Sequence, residues 1–155
     1  MRWIAMAWGL IGASLLAAAF YLAHEAEMPA GAQALGILFL DMGPLEKLSL
    51  MLIVVAGIAV LFAGASAVNR KPPPSRDSFL SLGALGLPAL GLLAAARRGL
   101  VIHQAVLATH TTNFKIIAPS LAEAVLVAAV GVMAGAIAAA LAAAVELRAR
   151  AADIA

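Results

Sequence analysis

Apolar residues fall along this chain in long blocks separated by short polar breaks. Trp3 to Ala23, Leu48 to Val68, Phe79 to Ala96 and Pro119 to Val145 each run for roughly 18–27 largely apolar residues, enough to cross a hydrocarbon core of about 30 Å at about 1.5 Å per residue. The blocks lack the narrow apolar stripe of a water-facing helix and the alternation of a half-buried or barrel strand. The pattern predicts an all-α integral membrane bundle of four transmembrane helices.

The breaks set the expected boundaries. His24 to Gly31 closes the first block, and Gly36 to Leu40 is a short apolar run expected at the membrane interface. Pro44 suits a helix first turn and Glu46 favours its positive end. Asn69 to Asp77 is a polar, proline-rich connection in which Pro72 to Pro74 form a stiff turn. Asp77 or Ser78 is expected to cap the third helix. Gly99 to Lys115 is mixed, with Thr109, Thr111, Thr112 and Asn113 suited to loop and cap positions. Pro119 is expected to open the fourth helix, and Glu146 to Arg150 to form a polar helical tail. The chain divides into an N-terminal segment, 1–35, and a three-helix core, 36–155. The N-terminal block reads as a retained membrane helix. It also has the outline of a signal sequence with Ala32-Gln-Ala34 as cleavage site, which would leave three spans.

Composition sharpens this picture. The 155 residues are 65% hydrophobic and only 12% charged, against about 25% charged in a soluble domain. There is no cysteine, which removes disulfides, thiolate metal sites and a Cys nucleophile. No basic run suggests nucleic acid, and no hydrophilic stretch is long enough for a soluble catalytic domain. No nucleophile is paired with a base, so an enzyme is not expected. His24, His103 and His110 have no carboxylate at ligand spacing, and neither a metal nor a cofactor is implied. Arg2, Arg70, Lys71, Arg76, Arg148 and Arg150 fall on one side of a four-span topology and Lys47, Arg97, Arg98 and Lys115 on the other. That asymmetry favours both termini inside. Arg97 and Arg98 read as anchors that end the third span by snorkelling.

Few residues within the spans carry candidate chemistry. Glu123 is the only ionisable group in the fourth block. A carboxylate at bilayer depth is a functional candidate by default, as a polar element of an ion path. Ala124 to Val145 is itself long enough to span, so an interfacial depth for Glu123 also fits. Gly131 and Gly135 form a Gly-x-x-x-Gly motif, suited to close helix packing within the chain or between copies. Pro88 and Gly91 predict a kink in the third span.

The fourth span resembles the last transmembrane helix of the ExbB/TolQ/MotA family of proton-channel stator subunits. The family reads Ala-Pro-Gly-Ile-Ala-Glu-Ala-Leu, then a threonine, then Gly-Leu. This chain has Ala118-Pro119-Ser120-Leu121-Ala122-Glu123-Ala124-Val125, then Gly131-Val132. Gly86-Leu87-Pro88-Ala89-Leu90-Gly91-Leu92 is similar to part of the family's preceding span, and Gly43-Pro44 before an aliphatic helix resembles its first core span. The resemblance covers about Gly36 to Val145. It implies a homo-oligomer, typically of five, around single-span helices of an ExbD/TolR-like partner in the bacterial inner membrane, driven by proton-motive force. It further implies Glu123 in the ion path and Gly86, Pro88, Gly91, Pro119, Ala128, Gly131 and Gly135 packing or lining the pore. The chain departs from the family where pore threonines would fall, at Gly86 and Ala128, and the large cytoplasmic region is reduced to Asn69–Asp77. Those departures suit an alternative: a small non-conducting membrane scaffold or assembly factor.

Overall fold

A computed structural model describes residues 1–29, 32–70, 78–110 and 113–152, the side chains of residues 32 and 34 excepted. Among the described residues it is an all-α bundle of five helices: α1 (Arg2–Glu25), α2 (Ala32–Asp41), α3 (Pro44–Asn69), α4 (Ser78–Thr109) and α5 (Phe114–Ala152). Four of them, all but α2, are long and apolar enough to cross a membrane. The chain is a multi-pass membrane protein. The Pro72–Pro74 turn, Asp77, Thr111 and Thr112 lie outside the described residues.

The bundle is built around α5. Helices α1, α3 and α4 each pack along it, and α3 also packs on α4. The reason is side-chain size. The face of α5 turned inward is mostly alanine and glycine, including Ala118, Ala122, Ala129, Gly131, Gly135, Ala138 and Ala142. Small residues let backbones approach closely, which is what drives helix association where lipid is as apolar as the helix itself. The large apolar residues point the other way: Leu10, Phe62, Leu82 and Leu93 stand on the outer surface, where acyl chains solvate them.

The closest crossing is between α4 and α5. A methyl group added at Gly131 would lie 2.8 Å from Gly91 Cα and 2.8 Å from the Leu87 carbonyl oxygen. The ring of Pro88 packs directly on Gly135. Pro88 also deprives the Ala84 carbonyl of its helical N–H partner, and that oxygen faces Gly135, 3.3 Å from where a methyl would sit. All of these are contacts within one chain. Gly131 and Gly135 are therefore covered by α4 and present no surface to a second copy.

Two boundaries differ from expectation. The third span was expected to stop at Ala96, but α4 continues without interruption through Arg97 and Arg98 to Thr109. Pro119 does not open α5. The helix begins at Phe114, where Asn113 Oδ1 accepts the Lys115 N–H at 3.0 Å, a side-chain N-cap. Pro119 is then the sixth helical residue. It removes one bond, toward the Lys115 carbonyl, and the helix continues. Helix α2, ten residues long, is too short to span. It buries Leu38 in a cluster with Ala19, Ala23, Ala122 and Leu126.

Candidate functional site: a network of paired charges at one end of the bundle

Antiparallel packing brings four charged residues from three helices to one level. Glu46 lies in the first turn of α3, Arg97 and Arg98 midway along α4, and Glu123 in the third turn of α5. Arg98 Nη2 donates to Glu123 Oε2 at 2.6 Å and to Ser120 Oγ at 3.4 Å. Arg97 Nη1 donates to Glu46 Oε1 at 2.7 Å. Both carboxylates are buried, Glu46 at 5% and Glu123 at 3% exposure. Gly43 sits between the two pairs: a methyl there would lie 2.5 Å from Glu46 Oε2 and 3.8 Å from Arg98 Nη1. Arg98 Nε is buried without an acceptor among the described residues.

Helix lengths leave room for an apolar slab on one side of this layer. Glu46 and Asn69, and likewise Glu123 and Glu146, are 23 residues apart, about 35 Å of helix. Ser78 and Arg98 are 20 residues apart, about 30 Å. An apolar slab of about 30 Å therefore fits between the paired charges and the opposite polar end, which puts the pairs at its edge. Beyond them the α4–α5 hairpin runs on for about 15 Å, from the 11 residues after Arg98 and the nine before Glu123. Lys115, near the start of α5, donates to Glu27 Oε1 at 2.5 Å. The ammonium holds the Glu27 carboxyl below the ordinary carboxylate range. Both side chains are solvated, so this pair adds little stability. Lys47 Nζ donates to the Leu40 carbonyl at 2.8 Å, closing the C-terminal end of α2.

Arg97 and Arg98 thus do more than the expected anchoring, since each holds a buried carboxylate from another helix. Glu123, the only ionisable group of its apolar block, is paired with Arg98 of α4. Of the other sequence candidates, Pro88, Gly91, Ala128, Gly131 and Gly135 are buried in the bundle. Gly86 has no neighbour within 4 Å of an added methyl, and Pro119 is half-buried one turn before Glu123. No group of three or more His, Asp or Glu residues could hold a metal ion among the described residues.

The two pairs differ in exposure. The Arg98 side chain is 18% exposed and that of Arg97 49%. Solvent compensates the loss of Arg97 more readily than the loss of Arg98. Arg98→Ala is expected to lower the unfolding temperature in detergent clearly more than Arg97→Ala; equal losses would show that the two pairs have the same environment.

No protein-family model, curated protein or solved structure matches the chain.

Proposed function

We propose that this chain is a homo-oligomeric subunit of a proton-motive-force-driven, energy-transducing complex of ExbB/TolQ/MotA type in a bacterial inner membrane, acting with an ExbD/TolR-like single-span partner. One observation carries the reading. Two of the stretches that resemble the family are distant in sequence, yet they meet along a single seam: Leu87, Pro88 and Gly91 of α4 lie against Gly131 and Gly135 of α5. Glu123, the charged residue of the better-matching stretch, lies on the same two-helix unit, paired to Arg98. In this reading Glu123 belongs to the ion path and α4 and α5 form the unit from which a ring is assembled.

A second reading, a non-conducting scaffold or assembly factor, is favoured by a different observation. Arg98 neutralises Glu123 within the chain, and Gly86 and Ala128 stand where the family carries pore threonines. Mass measurement of the protein extracted in mild detergent separates the two. A five-copy assembly is expected for the stator subunit, whereas a monomer or dimer would overturn it. Glu123→Gln, which keeps the side chain's shape, is expected to preserve that mass while impairing coupling in a complementation assay. Unchanged coupling would remove Glu123 from the path.

A further inference from the structure

The opposite end of the bundle carries charges of a different kind. The start of α1 and the end of α5 line an open cavity of about 380 Å³, formed by Met1, Arg2 and Trp3 on one side and Ala143, Glu146, Leu147 and Arg150 on the other. At the Glu123 end, Arg97, Arg98 and Lys115 each hold a carboxylate. Here neither Arg2 nor Arg150 has an ion-pair partner among the described residues, and neither does Glu146, although all three line one cavity. Two guanidiniums from different helices, one carboxylate and Met1 share this space, with Trp3, Ala143 and Leu147 as its apolar walls.

The cavity's depth narrows its ligand. Glu146 is 23 residues from Glu123, about 35 Å of helix, so the cavity lies at the other edge of the apolar slab. Trp3, 80% exposed beside it, is the kind of side chain that settles at headgroup level. A ligand there needs an anionic group for the two arginines, a cationic group for Glu146, and an apolar body along Ala143 and Leu147.

We infer that this cavity binds the headgroup of an aminophospholipid, with the phosphate on Arg2 and Arg150 and the primary ammonium on Glu146. Guanidinium matches phosphate through paired N–H donors. A primary ammonium donates hydrogen bonds to Glu146, whereas the quaternary ammonium of choline has no N–H to give. The assignment depends on the chain spanning a membrane and not on the stator reading.

The test is lipid binding to the full-length protein, purified in detergent and titrated with phosphatidylethanolamine, phosphatidylcholine or phosphatidylglycerol, with bound lipid counted by native mass spectrometry. Phosphatidylethanolamine is expected to bind about tenfold more tightly than phosphatidylcholine. Arg2→Gln and Arg150→Gln should each weaken it by a similar factor. Arg148→Gln, an exposed arginine outside the cavity lining, should leave it unchanged. Glu146→Gln should erase the preference for ethanolamine over choline without weakening phosphatidylglycerol. Unfolding temperatures of the variants establish that they are folded. Equal binding of the two zwitterionic lipids, or no effect of both arginine variants, would overturn the assignment. Free phosphoethanolamine competing at the same concentration as the lipid would also overturn it, because the ligand would then be a soluble phosphate.

Discussion

Gly131→Ala is expected to destabilise the bundle by about 3 kcal/mol, the upper range for overpacking a tight contact. The added methyl would meet Gly91 Cα and the Leu87 carbonyl oxygen, each at 2.8 Å. Both are backbone atoms of α4, so neither can rotate away, and the helices must separate along the seam. Separation also weakens the Pro88–Gly135 contact one turn along. Gly86→Ala supplies the comparison. It adds the same methyl to α4 where nothing lies within 4 Å, and is expected to stabilise the helix by about 0.5–1 kcal/mol through the lower backbone entropy of alanine. Thermal or denaturant unfolding in detergent reads both. Equal changes for the two variants would show that α4 and α5 do not meet at Gly131.

The four spans were legible because burial in lipid is written as long apolar blocks, and every block coincides with a helix. Helix ends were less legible. A hydropathy edge marks where lipid stops, not where the backbone stops hydrogen bonding. Arg97 and Arg98 therefore read as the end of a span, while α4 continues another 11 residues past Arg98. Pro119 looked like a helix start because proline is favoured in the first turn. The side-chain cap from Asn113 moved that start back to Phe114, and one missing N–H was not enough to break the helix.

The charge network was legible in part. Glu46 precedes its apolar block, Arg97 and Arg98 follow theirs, and Glu123 lies just inside the start of the next, so successive antiparallel helices carry all four to one end of the bundle. In an antiparallel bundle, residues at the same end share a level, so counting from the block edges brings two carboxylates near two guanidiniums. The counting cannot say which acid meets which base, because that depends on the rotation of each helix about its axis. Packing sets that rotation: the glycines of α5 must face Pro88 and Gly91, and this turns Ser120 and Glu123 toward Arg98 about two or more turns away. The Gly-x-x-x-Gly motif was ambiguous for a related reason. Small residues announce a close approach without naming the partner, and here the partner is the preceding helix of the same chain.

Removing one member of the Glu123–Arg98 pair should cost far more than removing both. Glu123→Leu leaves a guanidinium that is only 18% exposed with no carboxylate, a loss of about 3 kcal/mol for a buried pair broken on one side. Arg98→Met leaves Glu123, 3% exposed, without a counter-charge, at a comparable cost of about 3 kcal/mol. The double variant Arg98→Met with Glu123→Leu fills similar volume with apolar groups, and it should recover most of either loss, because neither charge remains to be desolvated. Unfolding of all four proteins in the same detergent gives the coupling energy directly as the departure from additivity. Additive losses would mean that the 2.6 Å contact does not persist in the membrane protein. A strongly coupled pair bears on function in turn. A carboxylate held this firmly takes part in an ion path only if the assembled complex draws Arg98 away. The double variant, folded but lacking both charges, therefore isolates what the carboxylate does from what it stabilises. Normal coupling by that variant would leave the pair a structural role alone, whereas a folded, fully assembled and inactive complex is the result expected of the stator reading.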